Sequence, residues 1–171
     1  MFMKQGTSQH LTVLHFVHQE PARLRKMLRQ FTEESPYRML YYQAPAQLLG
    51  KLNLPKWHGR GMQLYLLQCE TLLETYPHSP ESYVRRLTRW IPPDHILFYT
   101  TSKQEEEARK LSSHTGMPYL ITNANFPHRL ENFIKERQSQ HVFKRLKLRM
   151  ILLTLLFLFL LAAVIFIVLY S

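Results

Sequence analysis

Cysteine is almost missing from this 171-residue chain. Cys69 stands alone, so neither an intrachain disulfide nor an all-cysteine metal site can form. Aspartate is as scarce, with Asp94 the single example, and paired-carboxylate or carboxylate-metal catalysis is therefore not expected. Five glycines leave few places for Gly-rich loops. Neither GxGxxG nor GxxxxGK followed by Ser or Thr occurs, so the dinucleotide and P-loop fingerprints are absent. Thr75, not Arg, lies six residues after Cys69, which removes the Cys-x5-Arg loop of a cysteine phosphatase. The longest absence is of charge: the 21 residues Met150 to Tyr170 contain no Lys, Arg, Asp, Glu, His, Asn, Gln, Gly or Pro.

What is present in that run is Leu, Ile, Val, Phe and Ala, with Thr154 the one polar side chain before Tyr170. At about 1.5 Å per residue it matches the roughly 30 Å hydrocarbon core of a bilayer. A buried core helix would carry polar residues on one face, so a transmembrane helix over 150–170 is expected. Just upstream, residues 135–149 hold six cations against Glu136 alone. A Lys/Arg cluster on one flank is retained on the cytoplasmic side. The expected arrangement is a tail anchor, single-pass, with the amino-terminal domain cytosolic and the carboxyl terminus outside or lumenal. Lys144, Arg145, Lys147 and Arg149 are the expected contacts with anionic headgroups. Residues 1–134 carry 16 Lys/Arg and 11 Asp/Glu, so half of the net charge of +10 belongs to the 135–149 collar, and nucleic acid is not needed to explain the basicity.

The body, 1–134, is long enough for one domain with a real core. "HLTVLHFVH" (His10 to His18) reads as a buried strand, and "QEPARLRKMLRQFTEES" as a helix entered at Pro21 with Leu24, Met27, Leu28 and Phe31 on its apolar face. "YRMLYYQ" (Tyr37 to Gln43) is a second strand entered through Pro36. "APAQLLGKLNLPKWHGRG" reads as a loop broken by Gly50, Pro55, Gly59 and Gly61, with at most one helical turn. "MQLYLLQCE" (Met62 to Glu70) is taken as a strand. "SPESYVRRLTRW" predicts a helix capped by Ser79, with Tyr83, Val84, Leu87 and Trp90 facing the core and Pro92-Pro93 as its stop. "HILFYTT" (His95 to Thr101) is the clearest strand. Ser102 then caps a helix from Lys103 to His114, with Glu105 completing a capping box and Gly116 ending it. "PYLIT" (Pro118 to Thr122) is the last strand, and the helix beginning at "FPHRLENF" runs on toward the membrane.

Alternation of this kind predicts an α/β domain, a mostly parallel sheet with helices on both faces. The element order resembles flavodoxin-like and Rossmann-like domains at the level of architecture, which hosts many functions. Ligands in such sheets collect where strands end and helices begin. Those edges hold His18, Gln19, Gln43, Cys69, Glu70, Thr100 to Ser102, Thr122, Asn123 and Asn125. In "YTTSKQE" the hydroxyls at a helix start suit either a cap or a phosphate. "HGRG" (His58 to Gly61) has the composition of a turn. His10, His15 and His18 have the wrong strand parity for one metal site.

Two readings follow. The first is a non-enzymatic, tail-anchored protein whose cytosolic α/β domain recruits or regulates a protein partner at the membrane, with no cofactor and no metal. The second is a membrane-tethered enzyme or nucleotide/phosphate-binding domain using His18, Thr101, Ser102 and Asn123. Self-association of the span is a third possibility, but it lacks GxxxG and has only Ala162-Ala163 as a small-residue patch.

Overall fold

A computed structural model describes residues 12–29, 37–52 and 61–170. His10, Phe31, Pro36, Pro55 and the His58–Arg60 part of the "HGRG" turn lie outside the described residues. The elements are β1 (Thr12–Val17), α1 (Pro21–Met27), β2 (Tyr37–Tyr42), α2 (Pro45–Leu52), β3 (Gln63–Gln68), α3 (Cys69–Thr75), α4 (Pro80–Leu87), β4 (Ile96–Thr100), α5 (Glu105–Thr115), β5 (Tyr119–Ile121) and α6 (Phe126–Tyr170).

Five strands form one sheet in the order β2-β1-β3-β4-β5, every pair parallel. This is the flavodoxin-like order, and it reverses between β1 and β3. Strict alternation within the buried strands sends side chains to two cores. Leu14, Phe16, Leu64, Leu66, Leu97 and Tyr99 face α1 and the first turns of α6, which contribute Leu24, Leu28, Phe126, Leu130 and Ile134. Val17, Tyr65, Leu67, Ile96 and Phe98 face the other way, against α2 to α5. The result is a three-layer α/β/α domain, as the alternating pattern predicts. By its internal contacts the chain divides into two compact units, Met1–Ile134 and Lys135–Ser171.

Several local readings change. The stretch read as a loop after β2 is helical over Pro45–Leu52, because Leu48, Leu49 and Leu52 gain burial that outweighs the helix cost of Gly50, roughly 1 kcal/mol. The β3 reading runs two residues too far, since Cys69 and Glu70 open α3, whose buried Leu72 and Thr71 anchor it. Met27 and Trp90, expected in the core, are 38% and 52% exposed, because Leu24 and Leu28 fill the buried face of α1, and Leu87 and Ile91 fill the buried positions at the end of α4. Ser79 makes no side-chain cap bond to α4. A short 3-10 turn, Ser102–Gln104, precedes α5, which begins at Glu105 with Gln104 at its cap position. The Ser102 capping box is therefore not formed. Gly116 does end α5, in the left-handed conformation at φ 72° that favours glycine.

Candidate functional site

At the carboxyl ends of the strands, where the sheet order reverses, chemistry-bearing side chains converge. A cavity of about 160 Å³ is lined by His18, Arg23, Gln68, Glu70, Tyr99, Thr100, Thr101 and Thr122, among others. Glu70 organises it. One of its carboxylate oxygens, Oε1, accepts three hydrogen bonds, from the Thr101 backbone N–H at 2.7 Å, the Thr101 hydroxyl at 2.8 Å and the Thr100 hydroxyl at 3.0 Å. Oε2 is buried and has no hydrogen-bond partner among the described residues. Glu70 thus bolts the β3–α3 turn to the turn after β4.

The neighbouring groups are tied down in the same way. Tyr99 donates its hydroxyl to the Val17 carbonyl at 2.9 Å, and full burial, reinforced by Glu70, holds its pKa far above the phenol range. The Gln19 backbone N–H donates to Gln68 Oε1 and to Thr71 Oγ1, both at 3.1 Å, while Thr71 donates to Gln68 Oε1 at 2.6 Å. His18 Nδ1 accepts the Glu20 backbone N–H at 2.8 Å, which places its proton on Nε2. Burial lowers the His18 pKa, with Glu20 and Glu70 opposing, so the ring is neutral at pH 7. Cys69 is buried beside this edge, and desolvation, reinforced by Glu70, raises its thiol to about 12. It is an inert core thiol, as its place at a strand end suggests.

Of the four residues singled out as alternative site residues, His18 and Thr101 line the cavity. Ser102 is exposed outside it. Asn123 serves the turn before α6, its Oδ1 accepting the Asn125 backbone N–H at 3.0 Å and its carbonyl the Phe126 N–H at 2.9 Å. Glu70, Thr100 and Thr122 were named only among the edge residues and not for the site, and Arg23, Gln68 and Tyr99 were not named for it at all. Only the β3–α3 boundary in "QCE" carries a hint of Glu70, because an acid in the first turn of a helix is electrostatically favoured there.

The geometry limits the chemistry. The Thr101 N–H that a phosphate would use is taken by a carboxylate of this chain, and an incoming phosphate would meet that negative charge. Pockets for small molecules and cofactors measure roughly 300–1,000 Å³, so about 160 Å³ has room for a few waters. No group of three or more His, Cys, Asp or Glu able to hold a metal occurs among the described residues. A second concavity, about 610 Å³, lies between α4 and α5 and is lined by Glu81, Arg85, Thr88, His114 and Met117 among others. It sits at the opposite edge of the sheet, where His114 Nδ1 and Glu81 Oε1 make an exposed contact at 3.4 Å.

No protein-family model and no curated protein matches the chain. Among solved structures it is similar to a pilus assembly-related protein from Burkholderia pseudomallei, at 15% identity and a TM-score of 0.51, over 77% of this chain and 91% of that one. It also matches the phosphorylated cyanobacterial phytochrome response regulator RcpA (15% identity, TM-score 0.45, 72% of this chain and 89% of that one). A response regulator receiver domain from Rhodospirillum rubrum matches at 14% identity and a TM-score of 0.47, over 78% and 94% of the two chains. At these identities the likeness is one of fold.

Proposed function

We propose that this protein is held at a membrane by its apolar helix, 150–170, and that its cytosolic α/β domain recruits or regulates a protein partner there. The observation that carries the proposal is a contrast within one chain. At the sheet edge where flavodoxin-like domains take ligands, Glu70, Gln68 and Tyr99 are bonded to the domain's own groups. In α6, by contrast, the most apolar stretch has no buried side chain among the described residues. A domain whose ligand edge is occupied mostly by its own bonds has its outer faces left for work, and a helix with apolar side chains on every side calls for an apolar solvent.

The basic residues Lys144, Arg145, Lys147 and Arg149 support an orientation with the domain in the cytosol. The rival reading, a tethered nucleotide- or phosphate-binding domain, draws on the hydroxyls of Thr100 and Thr101. Their bonds to the Glu70 carboxylate weigh against it.

Two measurements on the same preparation test the proposal. The full chain should stay with membranes through alkaline carbonate washing, and a panel of nucleotides and phosphate compounds should leave its melting temperature unchanged. Release by carbonate would remove the anchor, and a nucleotide-dependent rise in melting temperature would favour the rival.

A further inference from the structure

The amino-terminal edge of the sheet, opposite the Glu70 cavity, carries a different surface. Helix α4 ends there: its last residues lead through buried Ile91 and a 3-10 turn, Pro93–His95, into the first residue of β4. Arg85 and Thr88 share a groove with Pro93, Thr115 and Met117, the residues that precede β4 and β5, which places the end of α4 at this edge. From it project Arg86, Arg89 and Trp90, all exposed, with Trp90 at 52%. Arg85, Arg86 and Arg89 make no ion pair among the described residues. Glu81, four residues before Arg85, and Asp94, five after Arg89, are the nearest acids in sequence.

Within the same unit, α6 begins against Tyr99 near the other edge, the Phe126 and Tyr99 ring centroids being 5.8 Å apart. Its buried residues Phe126, Leu130 and Ile134 cover that face of the sheet, running back from the Tyr99 end, with Ile134 about 12 Å further along the helix. Only 15 residues, 135–149, then separate Ile134 from the uncharged run.

We infer that Arg86, Arg89 and Trp90 form a membrane-contact patch through which the α/β domain lies against the anionic bilayer that anchors it. The inference rests on the anchoring reading above. Cations left without protein partners complement anionic headgroups, and an exposed Trp is the side chain that partitions to the headgroup region, its ring apolar and its N–H satisfied by water or lipid. Two arginines and one tryptophan make a weak site for a free protein. For a domain joined to the uncharged run through only 15 residues, the bilayer is present at high effective concentration, and a weak site is enough.

The test uses the full chain in lipid vesicles, comparing wild type with Trp90→Phe so that their difference spectrum isolates Trp90. In vesicles containing a brominated anionic phospholipid, Trp90 emission should be quenched and shifted to the blue. In neutral brominated vesicles, or at high salt, it should behave as a water-exposed ring. Arg86→Gln with Arg89→Gln should weaken the contact by about fivefold per charge and return Trp90 to the aqueous quencher acrylamide. Equal acrylamide access in anionic and neutral vesicles would overturn the inference. So would protection of Trp90 by a short RNA but not by anionic lipid, which would make the patch a nucleic-acid surface. Flotation of the same vesicles separates the two levels: protein that fails to float refutes the anchor, whereas protein that floats with Trp90 unquenched refutes only the patch.

Discussion

Protonating His15 would place a charge between two tyrosine rings with almost no water to solvate it. The ring is 1% exposed, stacks on Tyr65 at 4.5 Å between centroids, and meets the Tyr42 hydroxyl at 3.1 Å through Nδ1. Burial lowers its pKa from 6.5 to about 4, against a smaller opposing effect of a hydrogen bond with Gln63. The unfolded chain therefore binds the proton first, and stability falls with pH from about 6.5 until the folded state is protonated near 4, a loss of about 3 kcal/mol from this group. Urea denaturation between pH 7.5 and 4.5 should show that component in the wild type and lack it in His15→Phe. Equal acid sensitivity of the two would mean that other groups carry it. Glu70 gives the second prediction at this scale. Removing its three accepted bonds by Glu70→Ala should cost about 1–3 kcal/mol, and Glu70→Gln, which keeps an acceptor oxygen, should cost less.

Helix ends divide what was legible in the sequence from what was not. The strands were readable because each is a short apolar run between turn residues, and Pro21, Pro80 and Gly116 marked helix boundaries by backbone sterics alone. The start of α5 was not readable. Ser102 has a capping residue's chemistry, but Thr101, one residue earlier, is pulled onto Glu70 from 31 positions away, and the chain enters α5 through a 3-10 turn instead. A long-range bond of that kind leaves no local signature, and for the same reason Glu70 was noticed only as one edge residue among many. Ser102→Ala should accordingly stay within about 0.5 kcal/mol of the wild type in thermal melts, while Thr101→Ala, losing a bond to a carboxylate, should cost more. Helix α2 was missed because Gly50 looked like a breaker. Gly50 is exposed, and a Cβ there meets nothing within 4 Å, so Gly50→Ala should raise stability by roughly 0.5–1 kcal/mol. A drop in melting temperature would show that α2 needs the glycine.

At the scale of the molecule, the sequence announces its apolar helix more loudly than its domain, since 21 uncharged residues need no tertiary context to be recognised. A chain ending at Gln138 retains every residue of both cores and should be soluble with an α/β circular dichroism spectrum, whereas the full chain should require detergent. An unfolded truncation would show that the domain depends on the segment beyond. One buried trio also sets a schedule for synthesis. Phe126, Leu130 and Ile134 are fully buried and are the last residues to join the core they share with Leu14, Phe16 and Leu97. Until they leave the ribosome, one face of the sheet has no lid except α1. The 36 residues that follow, 135–170, take about 2–7 s to translate at typical rates of 5–20 residues per second. The domain therefore gains its final covering only moments before the most aggregation-prone stretch of the chain emerges, and a slowed or stalled ribosome in that interval would expose one apolar surface or the other to the chaperones of the cell.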